Sequence, residues 1–152
     1  MIVHSTRFGT FDCPENCIIT IKGGILGFPQ MERYVILQHK EGSPFRWLQS
    51  VEEPSLAFLV TDPANFRPDY APELPPAIAE ELRLEEHTPR IAYVILTIPP
   101  GKPEDMTANL AGPILINTES RVGKQIVLND ERWGTKHRVL SEVATSAQSS
   151  AA

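Results

Sequence analysis

Short runs of β-branched and aromatic residues, separated by glycine and proline, recur along the first part of the chain. Such residues suit the pleated, half-buried face of a sheet, so each run is predicted to be a strand. Connections of hairpin length at residues 42–44 and 53–54 favour antiparallel neighbours. The five predicted strands cover residues 2–8, 17–22, 34–38, 45–51 and 56–61.

The later part of the chain continues this pattern, with predicted strands at residues 90–98, 113–117 and 124–128 and a candidate edge strand at 137–143. Residues 90–98 are almost all apolar, so this strand is predicted to be the most deeply buried. One short helix of about ten residues is predicted between the two groups of strands. Pro75 or Pro76 can occupy its first turn, and Ile78 and Leu82 share one face.

The order of these elements indicates the fold class. No repeat of fixed period occurs, and the strands do not alternate with helices as parallel βαβ units require. We therefore predict a mostly β fold, a small antiparallel β-barrel-like domain with one short helix, over residues 1–143. Residues 144–152 are only Ala, Ser, Thr and Gln, so they are predicted to be a disordered tail.

Composition narrows the class of protein further. A chain of 152 residues with 41% hydrophobic content can form one domain with a substantial core. Fourteen prolines disfavour a helical bundle. The longest apolar run is far short of the roughly 18 residues that a transmembrane helix needs, and the first residues lack a secretion signal. We therefore expect a cytoplasmic protein that does not associate with membranes.

The charge is negative and unevenly distributed. The formal net charge is −5, which disfavours a protein that binds nucleic acid through its phosphates. Between Glu52 and Glu86 there are nine acids and two bases, so this segment carries −7 and the rest of the chain carries +2. A solvated helix face and loop would account for this run. A negative surface would also speed the encounter with a basic protein.

Known catalytic and metal-binding motifs are missing from the sequence. The glycines at positions 23, 24 and 27 lack the Lys-Ser/Thr that follows a phosphate-binding loop, so they are predicted to form a turn. Cys13 and Cys17 have no second Cys or His pair at ligand spacing, so they are predicted to be reduced thiols without a metal. We therefore predict a protein that is not an enzyme and has no cofactor.

The loop at residues 62–70 is the best candidate for a contact with another protein. Its two prolines restrict the backbone, so the rings of Phe66 and Tyr70 would lose little entropy on binding. Alternatively, Phe66 fills one end of the barrel. The candidate partner-binding residues of this loop and of the acidic segment are Asp62, Asn65, Phe66, Arg67, Asp69, Tyr70, Glu73, Glu80, Glu81, Glu85 and Glu86.

Five strings in the sequence resemble, in order and spacing, the FliW family of bacterial flagellar assembly factors. The resemblance covers roughly residues 1–140 and leaves out the end of the chain. The strings are GILGF at 24–28, PFRWLQSVEEPSLAF at 44–58, DPANFRPDY at 62–70, NLAGPILIN at 109–117 and GKQIVL at 123–128.

This resemblance implies a cytoplasmic, non-enzymatic regulator with a small β-barrel-like fold and two protein partners. The first partner is flagellin, and the second is the RNA-binding translational repressor CsrA. When secretion drains free flagellin, the released factor binds CsrA and lifts its block on flagellin mRNA. The acidic segment, residues 52–86, is a suitable surface for a basic RNA-binding protein.

Two other functions stay open at this point. An enzyme could use a pocket at the barrel end, with Asp62, Asp69 or His137 as a general acid or base. Alternatively, an OB-type barrel could bind single-stranded nucleic acid by stacking bases on Phe66, Tyr70 or Trp133, although the net charge argues against it.

Overall fold

The computed structural model describes residues 1–38 and 40–139. Within these residues it contains eleven strands, one α-helix and three short 3-10 turns, the turns at Glu15–Cys17, Pro63–Asn65 and Pro103–Asp105. The strands and the helix are β1 Ile2–Ser5, β2 Gly9–Asp12, β3 Ile18–Ile21, β4 Arg33–Gln38, β5 Phe45–Ser50, β6 Ala57–Thr61, α1 Pro76–Glu81, β7 Arg90–Thr97, β8 Thr107–Ala108, β9 Ile114–Asn117, β10 Val122–Gln125 and β11 His137–Arg138.

Seven of these strands close into a barrel. Strands β3 to β7 pair in sequence, β7 pairs with β9, β9 with β10, and β10 returns to β3. The closing pair of β10 and β3 is parallel, and the other six pairs are antiparallel. Closure removes free edges from this sheet. The predicted mostly β, barrel-like fold with one short helix is therefore confirmed.

The barrel interior is filled by aliphatic and tyrosine side chains that point inward from alternate strand positions. Leu48 and Val60 are fully buried there, as are Ile114 and Ile116. Each such side chain contributes about 1.5–3 kcal/mol through its removal from water. This interior cluster is the main core of the domain.

Two further clusters pack on the outside of the barrel. The β1–β2 hairpin covers one face through Val3 and Cys13, which pack with Val35 of β4. A second cluster joins the barrel to β8, β11 and the loop after β6, and it includes Phe66 and Trp133. This second cluster lies directly under the candidate loop.

Several boundaries differ from the sequence-based expectations. Residues 2–8 form β1 and a turn, and β2 follows as an unpredicted strand. Cys17 ends a 3-10 turn instead of starting a strand. Strand β7 is buried at three of its eight positions and β9 at three of four, so β9 is the more continuously buried strand. Residues 140–143 and the tail at 144–152 lie outside the described residues.

The helix is shorter than predicted. It ends at Glu81 after six residues, because Leu82 leaves the helical conformation and Arg83 takes a positive φ of 55°. Glu85 and Glu86 therefore lie beyond the helix, in the turn that leads to β7. No helix in the described part of the chain has the length and apolar character needed to cross a bilayer.

Candidate functional site

The candidate loop leaves β6 through a capped 3-10 turn. The carboxylate of Asp62 accepts a hydrogen bond of 2.9 Å from the backbone N–H of Ala64, and Pro63 occupies the first position of the turn. The Nδ2 of Asn65 donates to the hydroxyl of Thr61 at 3.1 Å. Asp and Pro at these two positions favour such a turn in general. The loop therefore begins in a fixed geometry, with Asn65 exposed.

An ion pair spans the middle of the loop. Arg67 donates from Nε and Nη2 to the two carboxylate oxygens of Asp69, at 2.7 and 2.9 Å. This bidentate contact lowers the pKa of Asp69, and the charge of His137 adds a smaller effect in the same direction. The guanidinium of Arg67 also lies 5.1 Å from the ring centre of Trp133. A carboxyl with a lowered pKa is poorly suited to act as a general acid near neutral pH.

The two aromatic side chains of the loop face the protein. Phe66 is 6% exposed, belongs to the second cluster and stacks on His137 at a centroid distance of 5.9 Å. Tyr70 lies 4.6 Å from Trp133 and donates from its hydroxyl to the carbonyl oxygen of Leu110 at 2.6 Å. Burial raises the pKa of Tyr70 to about 12.

These positions correct one expectation from the sequence. Phe66 is not presented at the surface, because its ring packs with the apolar side chains that join the loop to the barrel. Its role is therefore structural, although it is buried in the cluster on the outside of the barrel and does not fill a barrel end. Tyr70 is half-buried and also anchors the loop. A role for the exposed loop residues Asn65 and Asp69 in partner binding stays a prediction.

One of the predicted acidic residues is neutralised by a distant lysine. Lys124 of β10 contacts both carboxylate oxygens of Glu81, at 3.1 and 3.2 Å. Lys22, at the end of β3, donates to the backbone oxygen of Glu81 at 3.4 Å. Glu81 therefore serves mainly to fix the helix on the barrel. Glu80, its neighbour, is exposed.

The remaining acids fall into two groups. Asp62 and Glu73 line one cleft of about 290 Å³, together with Tyr70 and apolar side chains of β7 and β9. Glu85 and Glu86 line a separate surface depression with Glu119. The structure thus brings Asp62 close to Glu73, and Glu119 close to Glu85 and Glu86. It divides the acidic segment between the cleft and the surface depression.

Arg90 lies beside both groups of acids, and the sequence pattern did not identify it as a residue of the site. Its side chain lines the cleft that contains Asp62 and Glu73. Its guanidinium donates to the backbone oxygens of Glu85 and Thr88. Arg90 and Glu119 lie outside the acidic segment, so a count of charges along the chain gave no signal for either.

The described residues contain no group of three or more His, Cys, Asp or Glu side chains placed to hold a metal ion. Cys13 is buried and Cys17 is exposed, and both are free thiols. The three residues considered for an enzyme have structural contacts: Asp62 caps a turn, Asp69 pairs with Arg67, and His137 stacks on Phe66.

Comparison with known proteins identifies the family. A family model described as FliW protein matches residues 2–139. The chain belongs to the FliW family. The flagellar assembly factor FliW of Desulfitobacterium hafniense is 40% identical over 146 residues, which cover 96% of this chain and 95% of that protein. The FliW of Alkaliphilus metalliredigens is 38% identical over 144 residues, covering 94% and 88% of the two chains.

A solved structure supports the same assignment. The crystal structure of a flagellar assembly factor FliW matches this fold with a TM-score of 0.83 at 34% sequence identity. The match covers 91% of this chain and 96% of that chain. The FliW fold is thus the seven-stranded barrel described above, and the resemblance found in the sequence is confirmed.

Proposed function

We propose that this FliW-family protein regulates flagellar assembly in the cytoplasm by binding two proteins, flagellin and CsrA. While flagellin is abundant, it occupies the factor. After secretion lowers the concentration of free flagellin, the factor binds CsrA and lifts the repression of flagellin mRNA. Membership of a family of flagellar assembly factors supports this proposal.

The observation that carries the CsrA part of the proposal is a set of exposed carboxylates that form no ion pair with any described residue. Glu73, Glu80, Glu85 and Glu86 are all exposed. None of these four glutamates takes part in an ion pair within residues 1–38 and 40–139. Unpaired charges on a surface extend their field into solvent and steer a partner of opposite charge. A basic RNA-binding protein is such a partner.

The loop at residues 62–70 supplies short-range contacts in this proposal. Asn65 and Asp69 are exposed on a backbone that the Asp62 cap and the Tyr70 hydroxyl already hold in place. A partner that binds such a loop does not need to order it, so less of the interaction energy is lost. The buried Phe66 contributes indirectly, by keeping the loop on the barrel.

Charge reversal tests the proposal. In the variant Glu80→Lys/Glu85→Lys/Glu86→Lys we expect the association rate with CsrA at low ionic strength to fall at least about tenfold, with a flatter dependence on salt. Stopped-flow fluorescence over a range of salt concentrations measures both quantities. Glu81 is left unchanged in this variant because its charge holds the helix.

A matched control separates position from net charge. The variant Glu15→Lys/Glu41→Lys/Glu104→Lys changes three exposed glutamates outside the acidic segment and alters the net charge by the same amount. It should retain most of the wild-type association rate. Equal rates for both variants would contradict a role of Glu80, Glu85 and Glu86 in the encounter with CsrA. Retention of single-stranded RNA by the protein alone would favour the OB-type alternative.

A further inference from the structure

A rigid loop between β3 and β4 exposes two large apolar side chains. Leu26 is 75% exposed and Phe28 is 42% exposed, while Ile25 between β3 and Leu26 is buried in the barrel core. Gly24, which precedes Ile25, and Gly27, which lies between Leu26 and Phe28, have positive φ values of 66° and 93°. A Cβ atom at Gly24 would lie 2.3 Å from the carbonyl oxygen of Phe28, so only glycine fits.

Hydrogen bonds hold this loop in one conformation. The backbone N–H of Leu26 donates to Oε1 of Gln125 at 2.7 Å, which ties the loop to β10. The N–H of Gly23 donates to the carboxylate of Glu32 at 2.8 Å, and the N–H of Phe28 donates to the oxygen of Ile25 at 2.6 Å. An apolar side chain on such a fixed loop can bind a partner without a large loss of entropy.

Leu26 forms one wall of a surface groove of about 280 Å³. Phe58 and Ile95 supply further apolar surface, and Phe28 extends it because its ring contacts Phe58 edge to face at 5.6 Å. Polar side chains, mainly threonines and amides, form the rest of the lining. Among the lining residues that belong to the described part of the chain, Lys136 is the single charged one and none is an acid, although the chain carries a net charge of −5.

We propose that this groove docks a segment of flagellin that carries a large apolar side chain next to a carboxylate. The apolar side chain contacts Leu26, Phe28 and Phe58, and the carboxylate lies against the ammonium group of Lys136. This inference rests on the proposed function for the identity of the partner. The chemistry of the segment follows from the groove, which combines apolar walls with one positive charge.

Among the described residues, the groove shares none with the depressions that Glu73, Glu85 and Glu86 line. An acidic segment is attracted by Lys136 and repelled by Glu85 and Glu86, and a basic partner experiences the reverse. The distribution of charge therefore favours first contacts of the two proposed partners on two different surfaces, and the switch then requires bound flagellin to block CsrA by its bulk and not by covering the glutamates. The substitutions of one surface should leave binding at the other surface intact.

Single substitutions in the loop test the groove. We expect Leu26→Ser and Phe28→Ser each to weaken the binding of flagellin at least tenfold in calorimetry and to change the affinity for CsrA less than twofold. Val127→Ser is the matched control, since Val127 is 66% exposed and lies outside the groove. It should bind flagellin within twofold of the wild type. Urea unfolding of each variant verifies that it is folded.

Equal binding of flagellin to the wild type and to both loop variants would overturn the groove and leave the proposed function standing. Failure of the wild type to bind flagellin would instead overturn the proposed function and the identity of the partner. Self-association in sedimentation velocity that Leu26→Ser abolishes would assign the groove to a second copy of the chain, and would also overturn the inference.

A peptide experiment tests the groove without flagellin. The probes are two blocked hexapeptides with two central leucines, flanked by glutamates in one and by lysines in the other. In ¹H–¹⁵N NMR spectra we expect the glutamate peptide to shift the amides of Leu26, Thr107 and Lys136 and to bind at least threefold more tightly. Lys136→Glu should reverse this preference. Shifts at other sites, or no preference, would contradict the proposed chemistry.

Discussion

Substitution of Phe66 by alanine distinguishes a structural role from an interface role for the aromatic residue that the sequence places in the candidate loop. The ring is 6% exposed and packs within the cluster that joins the loop after β6 to β8 and β11. It also stacks on His137 at 5.9 Å. Removal of the ring leaves a cavity at this junction, because neighbours such as Leu59 and Val94 are held on the barrel strands β6 and β7 and cannot collapse fully into the space.

The expected cost follows from this burial. Truncation of a buried Phe to Ala lowers the free energy of unfolding by about 3–5 kcal/mol, through the lost transfer energy and the cavity. For a domain of this size the melting temperature should fall by roughly 10 °C. Phe66→Leu keeps most of the apolar volume and should cost only about 1.5 kcal/mol.

Urea unfolding, followed by tryptophan fluorescence, measures these losses. Phe28→Ala is a suitable control for stability, since its ring is 42% exposed and its removal should cost much less. The affinity for CsrA is then measured with Phe66→Leu under conditions where this variant is fully folded, and we expect it to be near the wild-type value. A small loss of stability together with a clear loss of CsrA affinity would refute the structural role and place the ring in the interface.

Three further properties of the fold give testable expectations. Gln49→Leu should lower the free energy of unfolding by about 3 kcal/mol, because the buried amide donates to three backbone oxygens around the β5–β6 turn. Gln38 lies on the surface, so Gln38→Leu should change this free energy little. Burial, with a smaller contribution from a nearby glutamate, raises the pKa of Tyr34 to about 12. The unfolded state therefore loses this proton first, so stability should fall by about 2 kcal/mol as the pH rises from 10 to 12, and Tyr34→Phe should reduce that slope in urea titrations. Burial also raises the pKa of the Cys13 thiol, so a thiol reagent should modify the exposed Cys17 quickly at pH 7 and Cys13 only slowly, and equal rates would contradict this.

The sequence predicts most barrel strands because alternation of apolar and polar residues, bounded by turns, is a local signal. Strands β4 to β6 and β9 lie where this signal predicts them. The parallel pairing of β10 with β3 has no such signal, since it joins residues about a hundred positions apart. Strand β8 has only two residues, which is too short to show a period.

The sequence likewise predicts one part of the candidate site and misses another. The charge count finds the acidic segment, because it depends only on residues that follow one another along the chain. It does not find the pairing of Glu81 with Lys124 or the contacts of Arg90, because tertiary structure alone brings these residues to the acids. The burial of Phe66 was one of two possibilities for the same reason: a ring in a proline-rich loop packs well in a core or in an interface.

The closing pair of the barrel also explains how an acidic turn is tolerated after the helix. In this pair Gly123 of β10 lies opposite Ile21 of β3, and a Cβ at Gly123 would lie 2.7 Å from the backbone oxygen of Leu115. The next residue, Lys124, binds the carboxylate of Glu81. Lys22, the residue that follows β3, donates to the backbone oxygen of Glu81. Two positive charges thus lie at the C-terminal end of α1, where the helix dipole favours them. Closure of the barrel therefore stabilises the helix end through Glu81 and leaves Glu85 and Glu86, which follow it, exposed.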